Sequence, residues 1–139
     1  MSLAKPAYDL YCRFQAYPMS YANFLSCLSG KYFAFVAYQN EQLVGLYLAH
    51  QVLDELTLIE VGVAPEYRGK GYGKALMQHF EQQGVKRGAQ QFWLEVRESN
   101  HIAIALYQSL DFSEIEIRKN YYPSENGHEN AVVMSKFTF

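Results

Sequence analysis

The chain has too little cysteine to be held by disulfides or a cysteine-rich metal site. Cys12 and Cys27 are the only two, and they match no zinc or redox spacing, so free core thiols in a reducing, cytoplasmic setting are expected. The histidines His50, His79, His101 and His128 are scattered, and no metal is expected. No apolar run reaches membrane-spanning length, and the N-terminus carries no secretory signal pattern. Neither sign of charge dominates: 12 Lys and Arg against 14 Asp and Glu leave a formal net charge of -2. That excludes a bulk attraction to nucleic acid or anionic lipid, so neither is expected as a partner. No repeat, low-complexity tract or linker interrupts the sequence, and residues 1–139 read as one domain.

What is present is apolar and aromatic: 50% and 16% of residues, enough for a substantial core and too much for a disordered chain. Met1 to Pro6 read as an unstructured leader, followed by two short helices over 9–16 and 20–29, broken at Tyr17-Pro18. Ser20 is placed to cap the second, and Gly30 to end it. Lys31 to Tyr38 and Leu43 to Leu53 predict a hairpin, and Leu56 to Val63 a third strand. A helix from Tyr72 to about Arg87 puts Leu76, Phe80 and Gly84 on one face, with Gly88 as its stop. Gln90 to Val96 alternates as a strand, with Phe92, Leu94 and Val96 on one side. Ser99 or Asn100 caps a helix to Leu110 whose Ile102, Leu106 and Leu110 are expected to face inward. Phe112 to Asn120 and Ala131 to Phe139 give two final strands around a polar loop. This order predicts a mixed α/β sandwich.

The segment carrying most information runs from Glu60 to Lys74: Glu-Val-Gly-Val-Ala-Pro-Glu-Tyr-Arg-Gly-Lys-Gly-Tyr-Gly-Lys. A β-branched strand enters a basic glycine loop that opens onto a helix. Gly69, Gly71 and Gly73 let backbone N–H groups crowd one anion, while the helix start adds unpaired donors and positive dipole. Arg68, Lys70 and Lys74 add mobile positive charge, making a site suited to a pyrophosphate. A nucleotide P-loop is excluded, because three residues, not four, separate Gly69 from Gly73, and Ala75 follows Lys74. A dinucleotide fingerprint is excluded because Lys74 stands where its last glycine belongs.

The arrangement Arg68-x-x-Gly71-x-Gly73 after a Val-x-Val strand resembles the acetyl-coenzyme A loop of the GNAT superfamily of N-acetyltransferases. Trp93-Leu94-Glu95-Val96-Arg97-Glu98-Ser99-Asn100, Ala105 to Phe112, and Arg118-Lys119-Asn120-Tyr121-Tyr122-Pro123 narrow the likeness. Together they resemble the RimI-type bacterial enzymes, which acetylate the N-terminal alanine of a small-subunit ribosomal protein. The likeness runs from about Tyr8 to Met134. It implies a GNAT fold, with a mostly antiparallel central sheet flanked by helices, and acetyl-coenzyme A as co-substrate. It implies Glu95 as general base and Tyr107 as general acid. Val61, Gly62 and Val63 match the strand that holds the pantetheine arm, Gly69, Lys70, Gly71, Tyr72, Gly73 and Lys74 the pyrophosphate loop, and Asn100 a further cofactor contact. A ribosomal-protein N-terminal peptide is the implied acceptor, and the oligomeric state is left open. Departures fall at Asp111, where the family has glycine, at Met19, where it has an aromatic, and in a short N-terminus that leaves the family's first strand truncated or missing.

The chemistry is coherent with an α-amine acceptor. Only the neutral amine attacks a thioester. Deprotonation at pH 7 costs about 1–1.4 kcal/mol for an α-amine of pKa ~7.7–8.0 but about 4.6 kcal/mol for lysine. By pattern alone, Glu95 is a solvated strand residue paired with Arg97, or a base desolvated by an aromatic wall. Tyr107 is a buried phenol with a satisfied hydroxyl, or the donor that protonates the departing thiolate. A bulge at Gly62 is expected to open the third strand, with a backbone N–H at its end serving the oxyanion. Glu114 and Glu116 read as a solvated face that could also meet a basic peptide. The rival activities are acetylation of a small-molecule amine and non-catalytic acyl-coenzyme A binding.

Overall fold

The structure, a computed structural model, describes residues 3–138. Six strands form one sheet in the order β1-β2-β3-β4-β6-β5. They are β1 Tyr32–Gln39, β2 Gln42–Val52, β3 Glu55–Val63, β4 Gln91–Arg97, β5 Ser113–Ser124 and β6 Gly127–Phe137. All neighbours are antiparallel except β3 and β4, whose parallel pairing is confined to Glu55–Leu58 against Gln91–Leu94. Beyond Leu58 and Leu94 these two central strands separate, leaving a gap in the middle of the sheet. The expected mostly antiparallel α/β sheet is present.

Helices cover both faces. α1 (Ala4–Phe14) and α2 (Tyr21–Ser26) pack on one side, where Leu10, Tyr11 and Phe24 meet Leu46 and Leu48. α3 (Tyr72–Lys86) and α4 (His101–Ser109) cover the other, where Leu76, Met77, Phe80 and Tyr107 meet Tyr47, Leu94 and Met134. β2 is therefore buried on both faces from Val44 to Ala49, which explains its nearly unbroken apolar run. The hairpin turn needs left-handed backbone at both Asn40 (φ 48°) and Glu41 (φ 69°), as a two-residue hairpin loop requires.

Several boundaries differ from the sequence reading. α1 begins at Ala4, because Pro6 fits a first turn that needs no backbone donor there, so the expected leader is already helical from that point; Met1 and Ser2 lie outside the described residues. α2 is shorter than 20–29 but is capped as expected, with Ser20 Oγ accepting the Asn23 N–H at 3.1 Å. β5 and β6 extend into a long hairpin where a polar loop was expected. Ile102 does not face inward: it is 87% exposed, and Tyr107 supplies the buried surface of α4. Cys27 is buried but Cys12 is exposed, so only one of the two free thiols belongs to the core. Asp111 adopts φ 71°, the left-handed conformation that lets it stand where the resemblance has glycine.

The bulge also moves. Leu48 faces Glu60 and Ala49 faces Leu58, so Ile59 is the extra residue, not Gly62. A bulge reverses side-chain alternation, and the core membership shows it. Leu56 and Leu58 before it, and Val61 and Val63 after it, all pack into the α3/α4 side. Glu60 and Gly62 are thereby turned towards α1, where Gln15 and Phe14 meet them.

Candidate active site

Two cavities share the gap between β3 and β4. The first, about 410 Å³, is lined by Val61, Gly62, Val63, Arg68, Gly73, Asn100 and Tyr107, together with Phe14, Met77, Ile102, Ala103 and Leu106. Seven residues singled out from the sequence thus converge on one channel. Gly69, Lys70, Gly71, Tyr72 and Lys74 do not line it but form the loop and helix start beside Gly73. A larger, more open cavity of about 650 Å³ lies on the far side of α3 around Gln78, Glu81 and Lys136 and includes nothing from the gap.

The channel suits a long donor with amide groups and a pyrophosphate. Ala64 N–H bonds Val44 O at 2.8 Å, so by antiparallel alternation Gly62 also points its backbone groups at β2. Those of Val61 and Val63 then face the gap, where Arg68 Nε–H reaches Val63 O at 3.4 Å and the remaining groups are placed to pair with an extended amide chain. Gly71, at φ 90°, begins α3 without any side-chain cap, and the first bond of the helix is Ala75 N–H to Gly71 O at 3.0 Å. The N–H groups of Tyr72, Gly73 and Lys74 therefore have no intrahelical acceptor and present an anion site. The loop is held from both sides. Glu66 takes the Arg13 guanidinium through both oxygens at 2.7 Å, Tyr67 donates to Gln42 at 2.8 Å, and Tyr72 bonds Gln39. Gly62 has a different reason to be glycine: a Cβ there would stand 2.2 Å from the Phe14 ring, which closes over the strand.

The second cavity, about 290 Å³, continues from the first through the shared walls Phe14, Val61, Asn100 and Tyr107. Glu60, Glu95, Arg97 and Tyr122 line its other side. Tyr107 stands in both cavities. Burial, with a smaller push from the charge of Glu60, raises its phenol to about 12, so it stays a proton donor at neutral pH. Asn100 caps α4, its Oδ1 accepting the Ala103 N–H at 3.2 Å, and so fixes the helix that carries Tyr107.

Glu95 is paired with Arg118 at 3.1 Å, not with Arg97. Arg97 instead organises the cavity rim. It donates to Pro123 O at 2.7 Å and Glu129 at 3.1 Å, and lies 4.6 Å from the Tyr122 ring and 5.3 Å from that of Tyr17. The other oxygen of Glu129 accepts the Ser99 N–H at 3.2 Å; the Ser99 side chain chiefly, with Arg97 and this N–H adding to the effect, holds the Glu129 carboxyl below its usual range. A bulge in β5 between Arg118 and Tyr122, with Asn120 at φ 53°, brings Tyr122 into the cavity. Burial raises the Tyr122 phenol, and the charge of Glu95 raises it further.

Glu60 is the site residue that the sequence did not single out. It reads there as one more polar residue on a strand, and only the Ile59 bulge turns it into the cavity. Desolvation pushes its carboxyl to about 7, opposed by a hydrogen bond from Gln15 and the charge of Arg97. The sign follows directly: the folded state favours the neutral acid, so stability is full below the ordinary carboxylate range and falls as pH rises to 7. Glu60→Gln should therefore be more stable than wild type by about 2 kcal/mol at pH 8, the gap shrinking towards pH 5. Urea unfolding at both pH values checks this; a pH-independent gap would mean that the carboxylate is solvated.

Four likenesses accompany this geometry. The family model described as Acetyltransferase (GNAT) family matches residues 3–112. The [Ribosomal protein bS18]-alanine N-acetyltransferase of Escherichia coli (strain K12) is 43% identical over 129 residues, covering 93% of this chain and 87% of that protein. The crystal structure of the E. coli ribosomal-protein-S18-alanine N-acetyltransferase superposes with a TM-score of 0.91 at 42% identity, covering 95% of this chain and 85% of that one. Arabidopsis thaliana NAA60 in complex with acetyl-CoA, at 16% identity, shares the fold with a TM-score of 0.86 over 97% of this chain and 93% of its own.

Proposed function

Since the chain belongs to the GNAT acetyltransferase family, whose donor is acetyl-coenzyme A, we propose that it acetylates the α-amine of a protein N-terminus, the N-terminal alanine of a bS18-like ribosomal protein. The observation that carries the chemistry is the junction of the two cavities at Tyr107. The donor lies along Val61–Val63 with its pyrophosphate at Gly69–Lys74, near Arg68, and its thioester at Tyr107. The acceptor amine enters from the Glu60 and Glu95 side. Glu95 acts as base through water, an N–H of Val61 or Val63 faces the developing oxyanion, and Tyr107 protonates the departing sulfur. Asn100 contacts the donor where it crosses the start of α4. Transfer is direct, and residues 1–139 work as one domain.

The 43% identity to a named bS18-alanine acetyltransferase supports the N-terminal acceptor, and so does the low cost of deprotonating an α-amine. No helix among the described residues is long and apolar enough to cross a membrane. The proposed ribosomal acceptor supports a cytoplasmic activity. The test is a peptide beginning Ala-Arg, offered with a free or a blocked N-terminus, following thiol release and peptide mass. Acetylation of the free peptide alone is expected. Modification of small amines but no peptide would overturn the acceptor, and coenzyme A binding with no transfer to either would overturn the enzyme.

A further inference from the structure

We propose that Glu60 accepts the proton that the acceptor's ammonium must lose before attack, while Glu95 takes, through water, the proton lost afterwards by the acylated nitrogen. This rests on the transferase reading of the site. Two protons must leave the acceptor nitrogen, and the cavity holds two carboxylates with different surroundings. Glu95 is matched by the Arg118 guanidinium at 3.1 Å. Glu60 has no ion pair among the described residues. Its partner is the neutral Gln15 amide, 3.2 Å from each oxygen. That amide is oriented by its own oxygen, which accepts the Tyr17 N–H at 3.2 Å. Glu60 stands two residues beyond Leu58, the last β3 residue paired with β4, so it lines the open gap.

The balance closes. The ammonium gives one proton to the Glu60 carboxylate and becomes the nucleophile. Its nitrogen bonds the thioester carbon, the C–S bond breaks, and the sulfur takes the Tyr107 proton. The acylated nitrogen loses its second proton to water held by Glu95, and that proton restores the Tyr107 phenol. Glu60 finally releases its proton to solvent.

The groups facing Glu60 agree with this role. Tyr11 of α1, Cys27 after α2, Tyr107 of α4 and Tyr122 of β5 are neutral at pH 7, and the Glu60 charge pushes each of them upward. From β4, Glu95 lines the same cavity and, among the described residues, Arg97 supplies the attractive cation that acts on Glu60. Burial in this setting holds the Glu60 carboxyl at about 7. Transfer from an α-ammonium of pKa ~7.7–8.0 is then uphill by roughly tenfold or less, against more than a thousandfold for an ordinary glutamate near ~4.3.

The test compares Glu60→Gln with Glu95→Gln on two acceptors at pH 7. One is a peptide with an N-terminal alanine. The other carries trifluoroalanine, whose amine is already neutral. Glu60→Gln should lose about 5–10-fold in kcat/KM on the ordinary peptide, the inverse of the neutral fraction of its amine at pH 7, and stay within about twofold of wild type on the fluorinated one. Glu95→Gln should fail on both. The rate of Glu60→Gln on the ordinary peptide should rise with pH along the amine's own titration, with coenzyme A binding unchanged. Equal losses on both peptides, or wild-type activity at pH 7, would overturn the proposal. If wild type modifies neither peptide, the N-terminal reading fails, and the same ratio, read on ethylamine against trifluoroethylamine, still decides the role of Glu60.

Discussion

Glutamine at position 95 should lower kcat for a free N-terminal peptide by about 10²–10⁴-fold and leave the affinity for coenzyme A within a factor of two. The substitution keeps the shape of the side chain and an oxygen for the Arg118 guanidinium, 3.1 Å away in the wild type, so the hairpin carrying Tyr122 stays in place. What it removes is a proton acceptor. Glu95 lines the acceptor cavity and not the donor channel, which is why binding and turnover should separate. Tyr107→Phe is the natural comparison. Its hydroxyl serves a thiol leaving group of pKa near ~8.5, already a fair anion at neutral pH, so the loss should be smaller, about 10–100-fold. Burst and steady-state thiol release, with calorimetric titration of coenzyme A, measure both. A Glu95→Gln enzyme that keeps half its turnover would remove Glu95 from the chemistry and leave Glu60 as the base.

The sequence could display the donor half of this site because its parts are contiguous. Val61 to Lys74 is one strand–loop–helix unit, and its glycine spacing with flanking cations is visible as a single motif. The acceptor half is assembled from residues of α1, β3, β4, α4 and β5, and only the known resemblance tied Glu95 and Tyr107 together before the fold was seen. Ile102 illustrates a second limit. Helical periodicity assigns it to a core, but it lies on the α4 turn that lines the first cavity, where it meets open space instead of protein. Glu60 illustrates a third. Whether a strand residue faces core or cavity depends on parity, and the single extra residue Ile59 inverts parity from there on. Arg97 escaped for a related reason: Glu95, its sequence neighbour at i–2, was the obvious partner, whereas the real one, Glu129, sits on β6 and reaches it only through sheet order.

Alanine at Gly84 should destabilise the protein by about 2–3 kcal/mol, even though alanine is the better helix former by about 1 kcal/mol. A Cβ built there stands 2.2 Å from Phe92 Cε1, 2.8 Å from Phe92 Cζ and 3.0 Å from Leu56 Cδ2. Neither neighbour can yield. Leu56 and Phe92 are register partners on β3 and β4 and are almost wholly buried, at 0% and 1% exposure. α3 must instead lift from the only stretch where the two central strands are paired, which is the closed end of the gap. Gly84 lies about 18 Å along the helix from its Tyr72 start, so the glycine loop is distant from the clash and coenzyme A affinity at 25 °C should change little. Gly88→Ala is the control. Nothing lies within 4 Å of its Cβ position, and its φ of 79° alone should cost about 1–2 kcal/mol. Urea unfolding of both variants separates the two mechanisms. A Gly84→Ala protein as stable as wild type would mean that the helix slides freely over β3 and β4, and the gap between them would then lack a fixed end.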